Sequence, residues 1–171
     1  MNEIRIEKVT LNVGAGNDSK KLNAGYKLLE SLTGKKPVKT KSKVRIAAWN
    51  VRLGLPIGVK VTLRKEEAEK FLKRAFYSKD NVISKKFFDK LGNFSFGIPE
   101  YIEIEDAKYD PELGMMGLEV AVSLEKKGYR IKRRKYDQRQ IPEKKKITAQ
   151  EGIEFIRNKF GVKFKEEQED D

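Results

Sequence analysis

An apolar residue at every second position is the feature of this chain that most constrains its fold. The segment from Ile57 to Leu63 is apolar at each odd position, and Gly58, Lys60 and Thr62 lie between. Side chains of a strand point alternately to its two faces, so this segment has one apolar and one polar face. Residues 118–124 and 9–13 repeat the pattern. The sequence therefore predicts a sheet that buries only one of its faces.

Three other segments have apolar residues at helical spacing, namely residues 19–33, 66–77 and the segment after Thr148. Gly34 stands where a helix C-cap belongs, and residues 148–151 have the sequence of a capping box. The predicted order is strand, helix, two strands, helix, several strands, helix, and the short strands with hairpin-like connections predict an α+β fold. An antiparallel β-sheet carries helices packed on one face and leaves an open polar face. Residues 1–165 are predicted to form a single domain, followed by a disordered acidic tail at 166–171.

Further expectations concern individual segments. Residues 44–53 and 101–104 are predicted to be strands, with a change of parity after the alanines in the first of them. Trp49 is expected to pack in the core or on the sheet rather than to stack on a base. Residues 78–93 are expected to form a long, partly mobile excursion. Gly14-Ala15-Gly16 is interpreted as a tight turn, because it lacks the remaining residues of a nucleotide-binding loop. The carboxylates of Glu103, Glu105 and Asp106 are interpreted as solvated edge charges.

Composition removes several classes of function. The chain has no Cys and no His, which excludes zinc fingers, iron–sulfur clusters, cysteine nucleophiles and histidine bases. A Mg²⁺ site built from carboxylates alone stays open, but we expect no cofactor and no enzyme activity. Neither a signal peptide nor an apolar run long enough for a membrane span is found in the sequence. The chain has 38 Lys and Arg and 26 Asp and Glu, which gives a net charge of +12. This excess predicts a polyanionic partner.

Positive charge is concentrated in two blocks. Residues 31–65 contain no acidic residue and ten Lys or Arg, and alternation places Lys60, Thr62 and Arg64 opposite the apolar face. Thr10 and Asn12 occupy the equivalent polar positions of the first strand. Cations beside short hydrogen-bonding side chains suit the phosphates and 2′-hydroxyls of folded RNA. An ordinary solvated sheet face is the alternative.

The second block, residues 126–146, contains eleven Lys or Arg against two acidic residues, together with Tyr129 and Tyr136. We call it the basic arm. An extended arm of this kind can follow a phosphate backbone and stack aromatic side chains on bases. A flexible basic loop or a localisation signal is the alternative.

The residues also resemble a known family, the universal 5S-rRNA-binding proteins of the large ribosomal subunit that are conventionally numbered five. The resemblance covers about residues 4–164 and rests on the order and spacing of several strings. These are Lys8 to Gly14, Leu32 to Val38, Thr40 to Lys43 with Ile46-Ala47, Arg52 to Gly58, Lys60 to Arg64, Gly92 to Ile98, and Tyr109 to Pro111 leading to Gly117-Leu118-Glu119. Gly92 to Ile98 and Gly128 to Lys135 are similar to the archaeal and eukaryotic branch, and the small size indicates an archaeal protein.

The resemblance implies docking of 5S rRNA on the sheet and its adjoining loops, within the central protuberance. It implies RNA contacts at Asn12, Lys35 and Thr62, although the family usually has glutamine where Lys35 stands. It also implies a loop directed at the elbow of P-site tRNA and at the small-subunit head, which by position is residues 78–88. Its candidate contacts are Lys79, Lys85 and Lys86.

We therefore predict a structural constituent of the large subunit, located on cytoplasmic ribosomes, with large-subunit rRNA and neighbouring ribosomal proteins as further partners. An RNA-processing protein or a duplex-DNA architectural protein is the alternative. The residues predicted to contact 5S rRNA are Thr10, Asn12, Lys35, Lys39, Thr40, Lys41, Lys43, Arg45, Arg52, Lys60, Thr62 and Arg64. Those predicted to contact other rRNA are Arg130, Lys132, Arg133, Arg134 and Lys135.

Overall fold

A computed structural model describes residues 3–165, and the predicted acidic tail lies outside them. The α-helices are α1 (Ser19–Thr33), α2 (Lys65–Tyr77) and α3 (Ala149–Phe160). The strands are β1 (Ile4–Gly14), β2 (Val38–Lys41), β3 (Pro56–Leu63), β4 (Val82–Ser84), β5 (Phe94–Ile98), β6 (Leu118–Lys126) and β7 (Lys163–Lys165). Five strands form an antiparallel sheet in the order β2-β3-β1-β6-β5, which confirms the predicted α+β class. No helix within residues 3–165 has the length and apolarity needed to cross a membrane.

The described residues group into two compact units. The α1 unit contains Thr10–Leu63 and Phe96–Ala121. The α2/α3 unit contains the residues up to Val9, then Arg64–Ser95, then those from Val122 onward. The expectation of a single domain stays a prediction.

In the α1 unit, α1 packs on the apolar side of β1 and β3. The helix begins after Asp18, whose carboxylate accepts hydrogen bonds from two backbone N–H groups, and it ends at Gly34 with φ 64°. Its buried side carries Leu28 and Leu29. Gly25 allows a close approach to the sheet, because a methyl group there would stand 2.9 Å from Val13 Cγ1. The helix therefore covers the apolar side of these strands.

In the α2/α3 unit, an aromatic cluster joins α2, α3 and β5. The Phe76 ring centroid lies 5.2 Å from that of Phe160 and 6.2 Å from that of Phe94. Phe88 stacks on Phe94 at 4.6 Å, and Phe164 meets Phe88 edge to face at 5.8 Å. Such pairs contribute about 0.5–1.5 kcal/mol each beyond burial. The cluster fixes the two helices against the sheet edge.

Two of the strand predictions are wrong. Residues 44–53 form the end of the β2–β3 hairpin, with a short 3-10 helix at Ala47–Trp49 and a turn at Asn50, whose φ is 52°. Trp49 is 69% exposed, so the expectation that it packs in the core or on the sheet is also wrong. The tight turn between the bridged residues Ile46 and Val51 directs Trp49 into solvent. Tyr101–Glu103 likewise forms a 3-10 helix.

The excursion predicted at residues 78–93 is folded instead. It contains β4, which pairs in parallel with β7, and a 3-10 helix at Lys85–Phe87. Ile83 is buried, and Phe88 belongs to the aromatic cluster. Its apolar residues hold the segment against the unit, because projecting into solvent would expose them.

The predicted capping box at the start of α3 is present and is reinforced by a lysine. The Glu151 carboxylate accepts a hydrogen bond from the Thr148 backbone N–H at 3.0 Å and two from Lys126 Nζ at 2.8 and 2.9 Å. The hydrogen bond from Lys126 is the main reason that the pKa of Glu151 lies below its ordinary value of 4.5. Lys126 is itself buried, so this pair satisfies its charge.

We predict that Glu151→Gln lowers the free energy of unfolding at neutral pH by about 1 kcal/mol, because it weakens a helix cap and a charge pair that solvent partly screens. The folded-state pKa lies below the unfolded-state value. The contribution is therefore complete above the unfolded-state pKa and is lost as pH falls through the folded-state pKa. Urea titrations at neutral and at strongly acidic pH measure this difference in the free energy of unfolding between the variant and the parent protein. Glu154→Gln, an exposed change on the same helix, should show neither effect; equal losses in both variants would contradict the prediction.

Candidate nucleic-acid interface

The polar face of the sheet is open in the α1 unit, as alternation predicted. Leu11, Val59 and Val61 are buried on the core side. On the opposite side Lys60 and Thr62 are exposed and Thr10 and Asn12 are half-buried. These four residues therefore belong to one uncovered face.

Thr40 belongs to the same face, because β2 pairs with β3 so that Thr40 lies opposite Gly58. The missing side chain of Gly58 lets its polar neighbours converge. A methyl group at Gly58 would stand 2.9 Å from Thr40 Oγ1 and 3.9 Å from Asn12 Oδ1. We call Thr10, Asn12, Thr40, Lys60 and Thr62 the open-face set. It combines an ammonium group with hydroxyl and amide groups, which donate to phosphate and exchange hydrogen bonds with ribose hydroxyls.

The remaining cations of the first charge block lie elsewhere. Lys39 pairs with Val59, and its Nζ lies 3.4 Å from Asn23 Oδ1 and 6.0 Å from the centroid of the Tyr26 ring. Lys39 therefore reaches over α1 and not over the open face. Lys35 follows the C-cap of α1 and is half-buried.

The end of the β2–β3 hairpin carries another group of these cations. Lys41 is exposed where the β2–β3 register shifts, and Lys43, Arg45 and Arg52 are exposed beyond it. Within residues 43–54, Val51 is the buried side chain. We call residues 43–54 the hairpin end.

Arg64 is exposed and belongs to the α2/α3 unit, where its guanidinium donates to the Glu7 backbone oxygen at 3.4 Å. The predicted tRNA contacts lie in the same unit. Lys79 follows α2, and Lys85 and Lys86 lie in the 3-10 helix after β4. These four cations therefore belong to the α2/α3 unit.

The basic arm is a closed loop and not the extended arm that was predicted. Tyr129 donates its hydroxyl to the Lys145 carbonyl at 2.9 Å, and burial raises the pKa of this tyrosine above its ordinary value. Arg134 donates to the Asp137 carbonyl at 2.8 Å. The loop closes on itself because hydrogen bonds join its two ends. Arg130, Lys132, Arg134 and Lys135 are exposed on it.

Arg133 connects the arm to two strands. Its guanidinium pairs with Glu7 of β1 at 2.6 Å and with Glu125 of β6. Glu125 also pairs with Arg5 at 2.6 Å and has only 6% of its side chain exposed. Between the arm and these strands lies a cleft of about 930 Å³ that Ser123 and Gln138 help to line. Sequence reasoning missed both carboxylates, although each stands at a polar position of a strand.

The glycine turn after β1 has its amide groups already occupied. Ala15 and Gly16 both donate their backbone N–H to the Ile57 carbonyl, at 2.9 and 3.0 Å. Those amides are unavailable to a phosphate, which agrees with the interpretation as a tight turn. Among residues 3–165, no group of three or more Asp, Glu, His or Cys side chains is placed to hold a metal ion.

Comparisons with known proteins agree on one family. The family model of ribosomal protein L5 matches residues 1–52, and the model of the C-terminus of the same ribosomal family matches residues 56–155. The chain is 50% identical to large ribosomal subunit protein uL5 of Nanoarchaeum equitans, over 95% of this chain and 96% of that protein. It is 46% identical to the protein of the same name from Methanococcus vannielii, over 95% and 91%. The chain therefore belongs to the ribosomal protein L5 family.

Proposed function

We propose that this protein is a structural constituent of the large ribosomal subunit that binds 5S rRNA through the open-face set and helps to attach it in the central protuberance. The family is structural and not enzymatic, and its relatives are named as large-subunit proteins. The observation that carries the proposal is the uncovered polar face on which Asn12, Thr40, Lys60 and Thr62 stand together. Such a face offers both charge and directional hydrogen bonds.

Binding on this surface combines two kinds of contact. Lys60 attracts phosphate without regard to sequence, and the attraction weakens as salt competes for the same sites. Thr62, Asn12 and Thr40 form short-range hydrogen bonds that require the correct shape of the RNA. Val38 pairs with Lys60 on the same face and is 60% exposed, so it provides an apolar contact beside the cation. Together these groups favour a folded RNA over a simple polyanion.

We predict that Lys60→Ala and Thr62→Ala both weaken 5S rRNA binding, but with different salt dependence. Loss of Lys60 should reduce the slope of log affinity against log salt by about 0.7–0.9, the value of one phosphate contact. Loss of Thr62 should lower affinity by about tenfold or less, the size of a hydrogen bond, and leave the slope unchanged. Filter binding over a salt series measures both.

Lys21→Ala is the matched control, because Lys21 is an exposed lysine of α1 and not of the sheet. It removes the same charge as Lys60→Ala, and it should change 5S rRNA affinity less than either Lys60→Ala or Thr62→Ala. Equal effects of Lys21→Ala and Lys60→Ala would show that net charge alone drives binding. Duplex DNA displacing 5S rRNA at equal nucleotide concentration would support the architectural alternative.

Contact with P-site tRNA is the second part of the proposal, and the structure favours a different segment from the one predicted. Residues 78–88 are folded against β7, whereas the hairpin end exposes Trp49 together with Arg45 and Arg52. An exposed indole in the same hairpin end as two exposed arginines suits stacking on unpaired bases. We therefore propose the hairpin end as the tRNA-facing segment and keep Lys79, Lys85 and Lys86 as the competing candidates.

We predict that Trp49→Ala lowers the affinity of reconstituted large subunits for P-site tRNA by about tenfold, the size of one lost stacking contact. Incorporation of 5S rRNA should stay normal, since Trp49 lies outside the open-face set. The triple change of Lys79, Lys85 and Lys86 to Ala should leave tRNA affinity nearly unchanged. If the triple variant loses tRNA affinity while Trp49→Ala binds tRNA normally, residues 78–88 are the tRNA-facing segment instead.

A further inference from the structure

Two carboxylates on the polar side of the sheet lie beneath the basic arm, although acidic groups weaken RNA binding when they stand free. Glu7 has 19% of its side chain exposed and Glu125 has 6%. Burial of a carboxylate is unfavourable unless a partner compensates its charge, even in a chain of net charge +12. Arg133 of the arm provides this compensation, because it forms ion pairs with both carboxylates.

The bridge is two-pronged. One terminal nitrogen of Arg133 meets Glu7 and the other meets Glu125, so the fork of the guanidinium spans β1 and β6. Arg5 holds the other oxygen of Glu125, with its Nε at 2.8 Å and a terminal nitrogen at 2.6 Å. Arg64 approaches Glu7 at 3.9 Å. Both carboxylates are thereby fixed from two sides.

The middle of the arm, residues 130–140, faces solvent. Arg130, Lys132 and Lys135 make no ion pair with any carboxylate among residues 3–165. The backbone between them is closed by hydrogen bonds within the arm, such as Arg133 N–H to the Arg130 carbonyl at 2.9 Å. Arg133 is therefore the arm cation docked on Glu7 and Glu125, whereas Arg130, Lys132 and Lys135 stay exposed beside it.

We propose that Glu7 and Glu125 are positioning residues for RNA binding: by holding Arg133 they dock the basic arm on the sheet, so that Arg130, Lys132, Arg134 and Lys135 meet a phosphate backbone as an ordered set. The inference rests on the proposed RNA-binding function. An undocked arm would have to be immobilised during binding, and that loss of freedom would oppose association. The two acidic residues thus strengthen binding to a polyanion.

The sign of the effect distinguishes this role from simple electrostatics. Removing negative charge from an RNA-binding surface ordinarily raises affinity. Here Glu7→Gln and the double change Glu7→Gln/Glu125→Gln should weaken binding of a 5S rRNA transcript, the double change by about tenfold, as expected when several side chains must be ordered on binding. Glu143→Gln removes the same charge from an exposed position of the arm and is the matched control. It should leave affinity unchanged or slightly increased.

A second readout tests docking without RNA. Trypsin cleaves after Lys and Arg, and the arm is rich in both, so release of the arm should speed cleavage within residues 126–146 in the Gln variants but not in Glu143→Gln. Circular dichroism establishes that each variant is folded. If the double variant fails to fold, Glu7→Gln alone carries the test, since Glu7 is the less buried of the two carboxylates.

The outcomes separate the two proposals. Weaker binding with faster arm cleavage supports the positioning role. Tighter binding by the Gln variants would overturn it, because the carboxylates would then compete with phosphate for Arg133. Unchanged binding and unchanged cleavage would also overturn it. Failure of the parent protein to bind 5S rRNA would reject the proposed function instead, while the cleavage rates would still report whether the carboxylates dock the arm.

Discussion

The two-residue repeat of the sheet is the constraint on which the other features depend. It directs Leu11, Val59 and Val61 to one side, where α1 covers them, and leaves Asn12, Lys60 and Thr62 on the other side. A shift of one residue in β3 would exchange the two sets and bury an ammonium group without a partner. Hydrophobic burial therefore fixes the register that presents the polar face, and one pattern determines both stability and the proposed contact surface.

Capping residues in the sequence predicted the helix ends that hydrogen bonds between neighbouring residues determine. The bounds of α1 follow from Asp18 and Gly34, and the start of α3 follows from the Thr148–Glu151 capping box. The polar positions of β1 and β3 followed from alternation alone. Predictions failed where tertiary packing decides the outcome. Residues 44–48 alternate like a strand, but a turn places them at the end of a hairpin. Lys39 was assigned by charge, whereas strand pairing turns it toward α1.

The basic arm shows the same division. The positive charge of the arm was evident from the sequence. Its shape was not, because the ion pairs that hold the arm in place join residues far apart in the chain. Glu7 and Arg133 are an example, as are Lys126 and Glu151. Neither pair has a signature that a single sequence reveals. Ion pairs between distant segments need a fold before they can be inferred, and in this protein they determine which cations remain free to bind a ligand.

The parallel pairing of β4 with β7 has a consequence for the order in which the chain acquires its structure. Val82 lies beside Lys163, so the strand that follows α2 has no partner until nearly the whole described chain has left the exit tunnel. All residues of the α1 unit, by contrast, have left the tunnel once Ala121 has emerged. Because parts of a chain can acquire structure as they emerge, the open-face set can be in place while the aromatic cluster around Phe88 still awaits Phe164.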